Sequence, residues 1–226
     1  MVSETPSGIG KLSSKVYSDI RDIDEITSLD YSHLHREVDD AILTAGSKFS
    51  VPTAILCPPT ILGVGHGPVK KRSIQVPVYI NAVMERGKAF TLGDGQNVWD
   101  YVHVNDVADA LIKLAEEALK PHGGGADWGK KGYYFCEAGE FKWGDFHKKI
   151  AEILYAKGVI KSADVEEKTA EDASEIHPWG PILWGGNART RAERLRNLSW
   201  TPKETDAHES LAEMADFEIE SARKAA

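Results

Sequence analysis

The stretch Gly93 to Ala110, GDGQNVWDYVHVNDVADA, constrains the fold more than any other part of the chain. Tyr101, Val102, His103 and Val104 are a run of β-formers, and Asn105-Asp106 follows as a helix N-cap pair. Val107, Leu111, Leu114 and Ala118 then fall on one helical face, with Asp109, Lys113, Glu116 and Glu117 on the others. A strand that passes directly into an amphipathic helix needs a sheet for that helix to cover, so the pattern predicts an α/β protein.

The 226 residues are 42% apolar, enough for a real core. The longest apolar runs fall short of the roughly 18 residues that cross a bilayer, and no charged-then-apolar leader opens the chain. A cytoplasmic location without a membrane partner is expected. The formal net charge of −8 argues against nucleic acid, whose affinity comes from Lys and Arg neutralising phosphates. A small molecule is the expected partner, and a homodimer stays open. Cys57 and Cys136, the two cysteines, lie in apolar runs and read as buried reduced thiols. No metal site is expected: His33 and His35 are two apart on a helix and do not share a face. The basic cluster Lys70-Lys71-Arg72 reads as a solvated loop, or as one meeting an anion.

Along the chain, Asp30 is placed to open a helix carrying Leu34, Val38, Ala41, Ile42 and Ala45, with Gly46 as its stop. Ala54 to Cys57 reads as a short buried strand stopped by Pro58-Pro59. Ser73 to Arg86 suggests a helix interrupted at Pro77 and ended by Gly87. Lys130 to Glu137 suggests a short strand, and Phe141 to Lys157 a helix with Phe146, Ile150, Ile153 and Leu154 inward. The acidic segment Ser162 to Glu175 reads as an exposed loop or lid. Trp179 and Trp184 either line an apolar pocket or cover the core. Asn187 is placed to cap a helix running to about Leu198, and an amphipathic helix with Leu211, Met214 and Glu218 ends the chain. No Gly-x-Gly-x-x-Gly lies between a strand and a helix, the arrangement that holds a dinucleotide's pyrophosphate; Gly63-Val-Gly65-His-Gly67 has the wrong spacing and runs into Pro68.

The central stretch resembles the Gly-x-Gly-x-x-x-x-Asp-(Tyr/Phe)-Val-His-Val-x-Asp-Val-Ala signature of the extended short-chain dehydrogenase/reductase family, the NAD(P)-dependent epimerases, dehydratases and reductases. Leu-Ser-Trp-Thr-Pro at 198 to 202 is similar to the family's Leu-Gly-Trp-x-Pro ending, and Ser7-Gly8-Ile9-Gly10 to a Ser-Gly-x-Gly strand end in an atypical branch. The resemblance covers about Ser7 to Pro202, as the C-terminal half of the family's protein, so the chain is expected to be truncated.

The resemblance implies a partial Rossmann-type, doubly wound and mostly parallel sheet with a small C-terminal substrate-binding lobe. Residues 1–62 would hold late strands and the catalytic helix of the NAD(P) fold, 63–100 a substrate-lobe insertion, 101–120 a strand and helix returning to the Rossmann-type core, and 121–226 the substrate lobe and terminal helices. In the family, a Tyr-x-x-x-Lys pair transfers a proton and lowers the tyrosine pKa. Tyr31 falls at the tyrosine, His35 at the lysine, and Ser7 at the hydroxyl that binds the substrate oxygen. His35 departs from the pattern, because a mostly neutral, shorter side chain tunes a tyrosine less than an ammonium does. Arg36 is a replacement cation about 100° away around the helix.

Pro59, Thr60 and Ile61 correspond to the turn that meets the nicotinamide, making NAD or NADP the implied cofactor. Ser73 and Gln75 would face substrate. Trp99 stands where sugar-nucleotide enzymes of the family carry a phosphate-binding arginine, which favours an apolar carbonyl compound. The implied function is NAD(P)-dependent epimerase/dehydratase or reductase chemistry on a small carbonyl, alcohol or sugar-type substrate. The alternative is a non-catalytic truncated homologue serving as a binding module.

Overall fold

In the computed structural model, which describes residues 4 and 8–225, the chain is a mixed α/β structure built on short strands. In chain order these are β1 (Tyr17–Ser18), α1 (Ile23–Thr27), α2 (Arg36–Phe49), β2 (Ile55–Cys57), β3 (Thr60–Leu62), α3 (Gln75–Arg86), β4 (Ala89–Leu92), β5 (Val98–His103) and α4 (Val104–Ala118). There follow β6 (Tyr133–Phe135), β7 (Gly139–Lys142), α5 (Trp143–Ala156), β8 (Val165–Lys168), α6 (Ala170–Ile176), α7 (Gly180–Gly185), β9 (Thr190–Arg191), α8 (Glu193–Asn197) and α9 (Ala207–Ala225).

The pairing is mostly parallel, as the fold class requires. β1 pairs with β9, β2 with β6, β3 with β5 and β4 with β8, all in parallel, and among the strands of the described residues only β5 and β7 run antiparallel.

The strand-to-helix stretch is the wall between two cores. Trp99 and Tyr101 on β5 join a cluster with Tyr79, Phe90, Trp143, Trp184 and Leu211. Val102 joins a second cluster with Ile55, Tyr133, Phe135, Leu195 and Trp200. A strand buried on both faces has no solvent side, which is why Val98 to Val102 shows no polar alternation. Trp99, Trp143 and Trp184 are fully buried, and rings of this size each contribute roughly 2–3 kcal/mol to folding.

The Gly93-Asp-Gly95 turn before β5 is a packing device. Gly95 lies at φ +61°, and a Cβ there would come 2.9 Å from the Cα of Gly144, where α5 begins. The Gly144 amide donates to the Gly95 carbonyl at 3.0 Å. A side chain at either position would separate β5 from α5.

Several local expectations are corrected. α2 opens at Arg36 instead of Asp30, because Asp30 turns back on itself: its carboxylate accepts the Ser32 amide at 2.9 Å and also the Ser32 hydroxyl. Pro77 does not interrupt α3; it sits in the first turn, where the helix needs no amide from it. The cap of α4 is His103, whose Nδ1 accepts the Asn105 amide at 3.3 Å. The Asp106 carboxylate instead accepts the Lys203 and Glu204 amides at 2.9 and 3.0 Å. Phe141 belongs to β7, and α5 starts at Trp143.

Ser162 to Glu175 is not an irregular lid. It contains β8, registered on β4, and α6, opened by a Thr169–Asp172 capping box. Asn187 caps no helix; its side chain accepts the Ser13 and Val98 amides at 3.1 and 2.9 Å and donates to the Lys11 carbonyl at 2.8 Å, and the helix after it is only the short α8. Both thiols are free, Cys136 buried and Cys57 half-buried.

Candidate functional site

The best-marked candidate site is the turn that feeds α2. His33 N donates to the Asp30 carbonyl at 3.2 Å and Arg36 N to the His33 carbonyl at 3.2 Å, which winds residues 30–35 into a tight entry. His35 closes it at φ +68°, a left-handed conformation unusual for a non-glycine residue. From α2, Arg36 reaches back into this segment: Nε donates to the Leu29 carbonyl at 2.8 Å, and Nη2 donates to the Thr27 carbonyl.

Tyr31 therefore precedes the helix, and the one-turn relation to His35 that a helix from Asp30 would create does not exist. The tyrosine is 65% exposed, and its hydroxyl donates to Asp40 Oδ2 at 2.9 Å. That hydrogen bond, followed by the negative charge of Asp40, raises the Tyr31 pKa, while the Arg36 guanidinium opposes the rise. Arg36 Nη2 lies 3.9 Å from Asp40 Oδ1. The cation beside the tyrosine–carboxylate pair is thus Arg36, and the ring of His35 makes no cap hydrogen bond. Ser7 lies outside the described residues.

Behind this turn, α2 is tied to the sheet by Asp39, which is buried and accepts the Tyr133 hydroxyl at 3.1 Å. Burial, followed by the charges of Cys57 and Asp39, pushes the Tyr133 hydroxyl far above its ordinary pKa. The Asp39-Asp40 pair is thus divided between the interior and the exposed tyrosine. Adjacent acids on an amphipathic helix signal such a division, and the family pattern, which marks Tyr31 and His35, carries no sign of it.

β2 leaves the core at Cys57 and, through Pro58-Pro59, becomes β3 beside β5. Pro59 and Ile61 are half-buried. Thr60 is buried, its hydroxyl donating to Gln75 Oε1 at 2.9 Å. Gln75 Nε2 in turn donates to the Leu183 carbonyl at 3.1 Å. The Gln75 amide thereby joins β3, α3 and α7. The Ser73 hydroxyl is buried without a hydrogen-bond partner. Trp99 is 0% exposed, and its indole Nε1 donates to the Gly186 carbonyl at 2.7 Å.

The guanidiniums of Arg189, Arg191, Arg194 and Arg196 are all paired. Arg189 and Arg191 bind Glu140 at 3.0 and 2.9 Å, Arg196 binds Glu137 at 2.6 Å, and Arg194 pairs with Asp127. A separate open cleft of about 720 Å³ lies between β7 and the start of α9, lined in part by Tyr101, Glu140, Asp145 and Asp206. None of the described residues assigned from the sequence lines it. Among the described residues no group of His, Cys, Asp and Glu could hold a metal, and no helix is long and apolar enough to cross a membrane.

Residues 11–125, just over half of the chain, match the model of the NAD dependent epimerase/dehydratase family. The chain belongs to that family. It is 30% identical over 202 residues to oxidase ucsJ of Acremonium sp, an alignment covering 85% of this chain and 58% of that protein. Its fold is similar to that of DesIV, a dTDP-glucose 4,6-dehydratase of Streptomyces venezuelae solved with NAD and TYD, at a TM-score of 0.62 and 15% identity over 95% of this chain and 58% of that one. UDP-glucose 4-epimerase of Thermotoga maritima, solved with UDP-glucose, gives a TM-score of 0.59 and 16% identity over 97% and 62% of the two chains. The chain thus spans about three fifths of the length of these relatives.

Proposed function

We propose that this chain supplies the substrate side of an NAD(P)-dependent oxidoreductase acting on a small carbonyl or alcohol compound, with Tyr31 as the proton-transferring group. The observation that carries the reading is the exposed Tyr31 hydroxyl backed by Asp40 at 2.9 Å. A tyrosine whose pKa is raised stays protonated near neutrality, which suits a proton donor to a carbonyl oxygen more than a resting base. When bound, the nicotinamide supplies the hydride that the carbonyl carbon accepts. Tyr31 releases its proton to the oxygen, Arg36 is the nearby cation that tempers the resulting phenolate, and solvent restores the proton at this exposed site. His35 and Ser7 are proposed to orient the substrate.

The residues of this chain fit the nicotinamide end of the cofactor and not its diphosphate. Pro59 and Ile61, half-buried on either side of the buried Thr60, form a strand entry, whereas no glycine loop opens a helix to donate amides to a pyrophosphate. In this reading the diphosphate is gripped by groups other than these residues. The paired arginines of 189–196 and the buried Trp99 support a small neutral carbonyl substrate over a nucleotide sugar. The lack of a diphosphate grip also favours a second reading, a binding module without turnover.

The test is oxidation of NADH and NADPH by the protein with small aldehydes and ketones, set against dTDP- and UDP-sugars. Turnover of small carbonyls supports the proposal. Turnover of nucleotide sugars alone overturns the substrate class, and none with either supports the binding module.

A further inference from the structure

Residues 63–73 leave β3 at its C-terminal end, the end of a parallel strand at which α/β proteins place their ligands, and return at the start of α3. At the near foot Gly63 lies at φ +83°, and a Cβ there would fall 2.1 Å from Nε2 of His103, so only glycine lets the backbone cross that imidazole. The Gly63 amide points at Sδ of Met214 at 3.3 Å, and the Val64 amide donates to the Glu213 carboxylate at 3.3 Å. At the far foot Arg72 pairs with Glu218, whose Oε2 also accepts from Asn81 at 2.6 Å. The Glu218 residue is 1% exposed, and its Oε1 is buried without a hydrogen-bond partner.

Between the feet, the Gly65 amide donates to the Lys71 carbonyl at 2.7 Å and closes the base of the loop. The tip stands free: nothing lies within 4 Å of where a Cβ on Gly67 would be, and Val69 is 94% exposed. Both feet are therefore held from one helix, α9, through Met214, Glu213 and Glu218.

The two feet differ in kind. Gly63 is fixed by steric fit to His103. Arg72 is held by charge, with a guanidinium side chain 45% exposed against a carboxylate side chain 2% exposed. Lifting Arg72 hydrates the guanidinium but leaves Glu218 buried with Asn81 alone, and uncovering one partner of a buried pair is costly. The closed position is the favoured one, and opening begins at the Arg72 foot.

We infer that residues 63–73 form a flap over the C-terminal ends of β3 and β5, hinged at Gly63 and latched to the C-terminal helix by the Arg72–Glu218 ion pair. That the flap covers a substrate rests on the redox function proposed above; the latch does not, and its test needs neither cofactor nor substrate. Trypsin cleavage after Lys70 and Lys71, followed together with amide hydrogen exchange by mass spectrometry, reads flap opening directly.

Arg72→Met and Glu218→Gln are each expected to speed cleavage at Lys70 and Lys71 by about tenfold or more, with faster exchange confined to residues 63–73. The double variant is expected to be no faster than the faster single one, because both changes remove one interaction. Arg72→Lys, which keeps the charge on the flap, is expected to restore most of the protection. Cleavage of Arg72→Met within about twofold of the parent, additive effects in the double variant, or exchange rising equally in α3 and β5 would overturn the latch. Failure to detect any redox activity would leave this result standing.

Discussion

The Tyr31 hydroxyl donates to Asp40 across 2.9 Å, from the entry turn of α2 to the second turn of the helix itself. Its electrostatic sign is opposite to that of a tyrosine–lysine pair, since a carboxylate raises a phenol's pKa where an ammonium lowers it. Replacing Asp40 with Asn is therefore expected to lower the Tyr31 pKa toward its ordinary value. The measurement is a difference ultraviolet titration between Asp40→Asn and the Tyr31→Phe/Asp40→Asn double variant. Where the protein turns over a carbonyl substrate, Tyr31→Phe is expected to cut that turnover by a hundred- to ten-thousand-fold with little change in thermal midpoint. Unchanged turnover would remove Tyr31 from the chemistry.

His35 holds a left-handed conformation at φ +68°, and a Cβ is strained there. His35→Gly is expected to stabilise the fold by up to about 1 kcal/mol, and His35→Val to destabilise it by more. Chemical denaturation gives both values. If His35 orients the substrate, the more stable glycine variant is also the less active one, which separates a site role from a backbone role.

Stability is expected to decline on both sides of an intermediate pH, for two nameable reasons. Burial, opposed by Thr190 hydrogen bonds to its carboxylate, pushes the Asp100 pKa up to about 8. The folded state then keeps a proton that the unfolded chain releases above about pH 4, so this contribution is fully present below that pH and is lost as pH rises through about 8. His147 acts the other way. Buried and stacked on Tyr79 and Trp143, it has its pKa pushed down to about 3. Its contribution is present above the unfolded value of about 6.5 and is lost as pH falls toward 3. Asp100→Asn is expected to flatten the alkaline decline and His147→Gln the acid one in thermal melts across pH. If each variant merely shifts the whole curve, these groups do not set its shape.

NADH and NADPH are expected to bind this 226-residue chain more weakly than micromolar, because the diphosphate finds neither glycine-loop amides nor the helix N-terminus that such a loop presents. Isothermal calorimetry decides it, and a micromolar dissociation constant would mean that another part of this chain grips the diphosphate.

The elements legible in the sequence were those with a strong local signal. The strand-to-helix stretch around Tyr101 and Val102, the buried strand ending at Cys57 and the terminal helix with Leu211 and Met214 all carry an apolar period that one geometry satisfies, and the family signature made the fold class readable. Boundaries set by side chains folding back were not. Asp30 reads as a helix cap until its bonds to Ser32 are seen, and the acidic run of 162–175 reads as a loop because β8 acquires its pairing only from β4.

The sequence by itself determined the α/β class, the family and the lack of a pyrophosphate loop, because each of these is written in residue type and spacing along the chain. Tertiary structure alone decided which of the marked polar residues are available for chemistry. Tyr31 and Asp40 remain at the surface, while Trp99 and Gln75 are closed into the core and Arg72 is drawn to a carboxylate far away in sequence. The reason is that a polar or amphipathic side chain can satisfy its hydrogen bonds in water or in the interior at similar free energy. Which of the two it does depends on partners that only folding brings near.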